Sequence, residues 1–203
     1  TDADFPASTA VGAMEHMDGY AFIASQTTGF IHNSDINSLA NWQAQNKIRK
    51  QIREDTNQGL ARLGKQIICF GYETMEVFGN AGNATGSPLV TIPSLFSKVG
   101  LVRGLTEFNS DYYTEINGTM YWVGRGEGRS ISMSLYSFNG NGHPVKVSSP
   151  AIDKILSGDP FFSVQTININ GRQAVAISDT QTTASSQRSI VYFPDWKEFF
   201  IWT

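Results

Sequence analysis

The sequence predicts an all-β fold of the β-propeller type, with about four blades of four short antiparallel strands each. Charged residues make up only 16% of the 203 residues, whereas Phe, Trp and Tyr reach 12%. Gly, Ser, Thr and Asn together supply about a third of the chain. This composition is typical of many short strands joined by tight turns, and it excludes a coiled coil and a disordered chain. A glycine-containing turn followed by an apolar run also recurs four times, which indicates a repeat architecture.

The four turns set the spacing of the repeat. Their glycines are Gly19, Gly64, Gly118 and Gly171, so the successive spacings are 45, 54 and 53 residues. Three of the four turns carry Asp-Gly or Asn-Gly, the strongest short-range signal for a β-hairpin. Four antiparallel strands per repeat would form one propeller blade. A β-sandwich of irregular hairpins is the structural alternative.

Each repeat contains four strand-like runs. The predicted blades span residues 8–56, 57–100, 107–158 and 159–203. The predicted strands are 10–15, 20–24, 29–33 and 48–53; 58–63, 65–70, 74–78 and 89–94; 111–116, 119–123, 130–138 and 144–148; and 161–169, 172–177, 189–193 and 197–202. Trp122, Trp196 and Trp202 fall in these strands, where we expect them to fill spaces between blades. Because the chain starts without Met and stops within an aromatic strand-like run, we expect a single propeller-like domain that is part of a longer protein and of a larger propeller.

Helix is predicted at one place. The run 150–158 has Ser149 as an N-cap candidate, Pro150 in the first turn and Gly158 at the end. Its apolar residues lie on one helical face, so a short helix should link the third and fourth blades. The run 41–54 is ambiguous between a turn of helix and the predicted fourth strand of the first blade.

Charge and cysteine content limit the function classes. The net charge is −3 and the sequence pI is about 5.6, whereas a general nucleic-acid binder is usually basic. Any contact with nucleic acid should therefore be a local patch. Cys69 is the single cysteine, which excludes an internal disulfide and indicates a small buried side chain. With three isolated histidines, we expect no metal site and no cofactor, and no apolar run is long enough to span a membrane.

One basic cluster is the candidate binding site. Its residues are Lys47, Arg49, Lys50 and Arg53, with Arg62 and Lys65 nearby. The functional interpretation is contact with DNA phosphates or with an acidic neighbouring subunit. The alternative is a set of solvated charges that keep an edge strand or helix from aggregating.

The sequence offers no catalytic constellation. Glu73 and Glu76 are three apart, so in a strand they would face opposite sides and could not act as a carboxylate pair. The glycine-rich run 124–129 is followed by an alternating strand-like segment, whereas a dinucleotide site needs a helix there. We therefore interpret it as a hairpin loop and predict a protein that is not an enzyme.

Several segments together resemble one protein family. They are residues 18–36, Leu63–Gly71, the strand pair Phe70-Gly71 and Thr74-Met75-Glu76-Val77-Phe78, the run 100–104, and the hairpin Asn117–Gly124. In this region, roughly residues 10–160, the chain resembles the packaged-DNA stabilization proteins of short-tailed phages, also called tail hub or head completion proteins. Members of that family are longer than this chain, which agrees with the expectation of a segment.

The resemblance implies a structural protein of the virion, located at the tail or head–tail junction. Such a protein assembles with copies of itself in a ring below the portal, contacts portal or tail proteins, and helps to retain the packaged DNA, which it could touch directly. A carbohydrate-binding or carbohydrate-cleaving propeller is the alternative function. A propeller that serves only as a protein-interaction module is a third hypothesis.

Overall fold

The strand repeat is present in the folded chain as four separate sheets. A computed structural model describes residues 3–6, 10–102, 112–126, 132–158, 162–179 and 189–202. In these ranges four antiparallel sheets each contain four strands that are consecutive in the sequence and neighbours in the sheet. The predicted all-β, propeller-like fold class is therefore confirmed.

Within each of these runs of four, the strands are arranged in the order of the chain. The first sheet contains β1 Ala10–Met17, β2 Tyr20–Ser25, β3 Phe30–Ser34 and β4 Trp42–Arg49. The second contains β5 Asn57–Leu63, β6 Gln66–Gly71, β7 Met75–Asn80 and β8 Leu89–Thr91. A 3₁₀ turn, Pro93–Leu95, and a short strand, β9 Val99–Leu101, come next. The third sheet contains β10 Tyr113–Ile116, β11 Thr119–Gly126, β12 Met133–Phe138 and β13 Val145–Lys146. After the helix α1 Pro150–Gly158, the fourth contains β14 Phe162–Ile169, β15 Arg172–Asp179, β16 Ser189–Phe193 and β17 Glu198–Trp202.

The repeated glycine turns are two-residue hairpin loops that join the first two strands of each sheet. Asp18-Gly19, Asn117-Gly118 and Asn170-Gly171 all have positive φ at both positions. This is the combination that a type I′ turn requires, and that Asn-Gly and Asp-Gly adopt most readily. In the second sheet Leu63 pairs with Gln66, and Gly64 alone has positive φ in the loop between them.

The fourth strands of the first and second sheets differ from their predicted ranges. The fourth strand of the first sheet is Trp42–Arg49 and not 48–53, and no helix forms over 41–54. The backbone N–H groups of residues 51–53 donate to the Glu76 carboxylate, so they cannot enter a strand ladder. In the second sheet β8 ends at Thr91, because Pro93 has no N–H to donate and starts the 3₁₀ turn instead.

The chain forms two compact units. The first consists of residues 1–101 and 140–143, and the second of residues 102–139 and 144–203. The first unit holds the first and second sheets, and the second unit holds the third and fourth. The proposed blade boundaries and their assembly into one propeller domain stay predictions.

Each unit has its own apolar core. The core of the first unit packs β1–β3 against β5–β8 and includes Met17, Phe22, Ile31, Leu60, Ile67, Cys69, Phe78 and Leu89. In the second unit, side chains of the third and fourth sheets pack with Ile152 and Leu156 of α1. The helix prediction for 150–158 is confirmed, and its apolar face covers the edge of that core.

The tryptophans do not all have the predicted role. Trp122 is fully buried and stacks on Tyr136 with ring centroids 6.1 Å apart. Trp196 lies in the turn between β16 and β17, not in a strand, and 48% of its surface is exposed. Trp202 is also 48% exposed, because β17 pairs with β16 alone and forms the edge of the fourth sheet. The prediction that these two residues fill spaces between blades is therefore wrong.

Candidate nucleic-acid interface

Lys47 and Arg49 form an exposed basic pair on the last strand of the first sheet. They are two residues apart on β4, so their side chains lie on the same face. The β3 strand beside them places Phe30 opposite Arg49 and His32 opposite Lys47. Lys47 Nζ lies 4.8 Å and Arg49 Cζ 4.2 Å from the centre of the Phe30 ring. Two cations are thus held over one half-buried aromatic ring, at distances that favour a cation–π interaction.

His32 is the third basic group of this face. Burial lowers the pKa of its imidazole from 6.5, and the Lys47 ammonium lowers it further. The histidine is therefore neutral at physiological pH and adds no positive charge. The basic face, which we define as Lys47, Arg49, Phe30 and His32, carries two positive charges on a chain whose net charge is −3.

Lys50 lies away from this face, although it follows Arg49 directly. Its side chain is only 3% exposed, and Nζ lies 3.8 Å from Asp55 Oδ2. The same Asp55 oxygen accepts hydrogen bonds from the Glu73 and Thr74 backbone N–H groups and from the Thr74 hydroxyl. Lys50 therefore balances a carboxylate that holds the turn between β6 and β7.

Arg53 is also occupied within the protein. Its Nη2 donates to Glu73 Oε2 at 3.0 Å, and both side chains are 39% exposed. Its backbone N–H donates to Glu76 Oε1 at 3.1 Å. Of the four predicted contact residues, the structure brings Lys47 and Arg49 together on an open face and uses Lys50 and Arg53 to fix the linker between the first two sheets.

Glu76 also fixes the linker between the first two sheets. It is fully buried on β7, and its two carboxylate oxygens accept hydrogen bonds from the backbone N–H groups of Gln51, Ile52 and Arg53 at 2.8–3.1 Å. Glu73 is paired with Arg53, so the two glutamates do not form a carboxylate pair that faces a substrate. Glu76 binds backbone N–H groups, and Glu73 pairs with a neighbouring cation.

The other two basic residues near the cluster, Arg62 and Lys65, lie outside the basic face. Arg62 donates to the carbonyl oxygens of Gly64 and His16 at 2.9 and 2.7 Å. Lys65 is exposed in the hairpin loop before β6. Neither residue belongs to the face formed by Lys47 and Arg49, because they lie at the turn between β5 and β6.

Sequence reasoning missed Phe30 and His32 as parts of this face. The signal that could have found them is the register of the β3–β4 hairpin, which pairs Phe30 with Arg49 and His32 with Lys47. That register depends on β4 starting at Trp42, whereas a fourth strand at 48–53 would place other residues opposite β3.

The described residues also include the single cysteine and part of the glycine-rich run. Among these described residues, no group of three or more His, Cys, Asp or Glu side chains could hold a metal ion. Cys69 is buried, and burial raises the pKa of its thiol to about 12, so it is protonated and unreactive. Gly124 to Gly126 of the glycine-rich run belong to β11, and the rest of that run lies outside the described residues. No helix in the described ranges is both long and apolar enough to span a membrane.

Comparison with known families identifies the chain. A family model described as Bacteriophage P22 Gp10, beta-propeller, the phage stabilisation family, matches residues 2–178. The chain belongs to this family. The family consists of phage β-propeller proteins that stabilise packaged DNA, so the predicted resemblance is confirmed and the chain is associated with the phage particle.

One solved structure supports the same fold, and a second is less similar. BamB from Moraxella catarrhalis superimposes with a TM-score of 0.50 at 11% identity, over 97% of this chain and 53% of BamB. The N-terminal domain of Nup159 gives a TM-score of 0.45 at 8% identity, over 89% of this chain and 44% of that domain. The chain thus spans about half the length of these structures. No curated protein sequence is significantly similar to it.

Proposed function

We propose that this chain is a structural component of the tail or head–tail junction that helps to close the portal and retain packaged DNA. Membership of the phage stabilisation family carries this proposal. No step of the proposed role requires a chemical reaction. The protein would act by occupying space, by contacting neighbouring subunits, and by holding them in place.

The proposed partners are copies of the same protein in a ring, the portal or tail proteins, and the packaged DNA. Lys47 and Arg49 are the residues that we assign to DNA phosphates or to an acidic neighbour. Both are exposed, and the Phe30 ring limits the positions that they sample, so binding orders them at a lower entropic cost than two free side chains. We do not assign Lys50 and Arg53 to this role, because Lys50 is buried beside Asp55 and Arg53 is paired with Glu73.

A charge reversal in the phage tests both the role and the contact. The variant is Lys47→Glu with Arg49→Glu, introduced into the full-length protein of the phage that encodes it. We expect particles that package DNA but lose it, measured as a fall in nuclease-protected DNA per head and as empty heads in electron micrographs. The physical reason is the replacement of two attractive phosphate contacts by two repulsive ones.

The matched control is Lys65→Glu with Lys154→Glu, which removes the same charge at two other exposed positions. This control should retain DNA as the wild type does. If the Lys47/Arg49 variant retains DNA as well as the control, the basic face has no role in retention. If removal of the whole protein leaves heads full and tails attached, the proposed function itself is wrong.

A further inference from the structure

A second surface, in the second unit, has the composition of a ligand site. An open groove of about 590 Å³ lies along the hairpin ends of β10–β11 and β14–β15, and it includes the turn between β16 and β17. Its volume is in the range of known small-molecule sites, about 300–1,000 Å³. We call it the amide groove, because four of its lining residues are amides. Its polar lining residues are Asn117, Asn168, Asn170, Gln173, Arg172 and Asp195.

The two hairpins that form the groove are fixed to each other. The hydroxyls of Thr114 on β10 and Thr166 on β14 are hydrogen-bonded at 2.6 Å. Thr166 also donates to the Glu115 carbonyl at 3.3 Å. These contacts join the two hairpins close to the Asn117-Gly118 and Asn170-Gly171 turns, so the backbone of the groove is held before a ligand arrives.

The amides of the groove offer both donors and acceptors. The Asn168 Oδ1 atom accepts a hydrogen bond from the Gly171 backbone N–H at 2.9 Å, which fixes the side chain and leaves its NH₂ group as a donor. The side chains of Asn117, Asn170 and Gln173 make no hydrogen bond to any other described residue. Each amide presents an NH₂ and a C=O, and an alcohol hydroxyl likewise donates and accepts. A row of amides therefore matches a row of hydroxyls.

The charges of the groove cancel. Arg172 Nη1 lies 3.7 Å from Asp195 Oδ2, and the Arg172 guanidinium lies over the Trp196 ring at 4.8 Å. One cation and one anion leave no net attraction for phosphate or for an acidic peptide. The predominantly polar lining also gives an apolar ligand little surface to bury. What remains is a neutral ligand with many hydroxyls, each of which can donate to and accept from the groove amides.

We propose that the amide groove binds a neutral saccharide through Asn117, Asn168, Asn170 and Gln173. Arg172 and Asp195 supply further hydrogen bonds to ring hydroxyls while they neutralise each other. We propose binding only, and no bond of the saccharide is cleaved. It does not rest on the role in DNA retention, since the groove and the basic face share no residue.

The experiment titrates the purified chain with glucose, galactose and N-acetylglucosamine, and with short oligosaccharides of each. Inorganic phosphate at the same ionic strength is the test for an anion site. Binding is followed by chemical shifts of the Asn and Gln side-chain amides and by calorimetry. We expect saturable binding of at least one saccharide with a dissociation constant on the order of 1 mM, and no saturation by phosphate.

Two variants locate the site. Gln173→Ala removes an exposed amide from a strand, and Asn170→Gly removes another at a position with φ of 52°, where glycine preserves the turn. Each should weaken saccharide binding roughly fivefold, the effect of one hydrogen bond. Gln51→Ala, which removes an exposed amide from the first unit, should leave binding unchanged.

The proposal is overturned if no saccharide of the set saturates at millimolar concentrations. It is also overturned if phosphate binds in preference, or if both groove variants bind saccharide as tightly as Gln51→Ala does. Circular dichroism of the variants verifies that each has the wild-type fold.

Discussion

At the scale of single residues, a buried carboxylate organises the linker between the first two sheets. Glu76 is fully buried and accepts three backbone hydrogen bonds, from residues 51, 52 and 53. These N–H groups have no strand partner, so the carboxylate replaces the ladder that they would otherwise join. Hydrogen bonds to a charged acceptor are stronger than those between neutral groups.

We therefore predict that Glu76→Gln lowers the free energy of unfolding by about 2–3 kcal/mol. The amide retains one acceptor oxygen but directs an NH₂ group at backbone donors, which leaves at least one of them unsatisfied. Urea denaturation of the purified chain measures the change. The comparison variant is Glu73→Gln, which breaks the half-exposed pair with Arg53 and should cost about 0–1 kcal/mol. Equal losses for the two variants would contradict the prediction.

Single residues also show how much of the candidate site could be predicted from the sequence. The basic cluster is visible as a run of Lys and Arg, and two of its members lie on an open face. The fate of the other two depends on Asp55, which pairs with Lys50, and on Glu73, which lies 20 residues after Arg53 in the turn between β6 and β7. A local pattern cannot show which cations are neutralised by such contacts.

At the scale of elements, the linker lies against a glycine at the end of β6. A Cβ atom at Gly71 would lie 2.2 Å from Asp55 Oδ2 and 2.3 Å from Lys50 Nζ. The absence of a side chain therefore makes room for the ion pair between these two residues. Asp55 also accepts the hydrogen bonds that hold the turn before β7. The space left by Gly71 is therefore needed by both the linker and this turn.

Gly71→Ala should destabilise the chain by about 2–3 kcal/mol, because the added methyl group displaces the ion pair from its position. Gly158→Ala is the matched control, since no atom would lie within 4 Å of its Cβ and its φ is not positive. The control should unfold at the wild-type urea concentration or slightly above it. Thermal and urea unfolding measure the stability of both variants. If Gly71→Ala is as stable as the control, the ion pair can shift without cost and the prediction is wrong.

Most elements could be predicted because their signals are local. The Asp-Gly and Asn-Gly loops define their hairpins by backbone conformation alone, and the helix at 150–158 has its own start and end signals. The fourth strand of the first sheet could not be placed, because its end depends on Glu76, more than twenty residues later in the chain. The exposure of Trp196 and Trp202 was missed for a similar reason, because it depends on how the β16–β17 hairpin packs and not on a local pattern.

At the scale of the whole molecule, both units bury acidic groups in their neutral forms. In the first unit, burial raises the pKa of the Cys69 thiol from 9.0 to about 12. In the second, burial raises the pKa of the Tyr121 hydroxyl from 10.0 to about 12, and the neighbouring Tyr192 and Asp195 raise it further. Burial also raises the pKa of Tyr136 and Tyr192. All four groups therefore resist losing a proton in the folded chain.

The free energy of unfolding should consequently be insensitive to these groups below pH 9 and fall as the pH rises from 9 towards 12. In that interval the unfolded chain releases protons that the folded chain retains, so each step in pH favours unfolding. Urea denaturation at a series of alkaline pH values measures how the free energy of unfolding changes with pH.

Cys69→Ser should reduce the loss of stability that starts near pH 9, because a serine hydroxyl does not ionise there. The serine hydroxyl can still donate to Asn57 Oδ1, as the thiol does at 3.3 Å. Tyr121→Phe should reduce the loss of stability that starts near pH 10. If both variants lose stability with pH as steeply as the wild type, the alkaline sensitivity arises from other groups and the buried thiol and phenol do not control it.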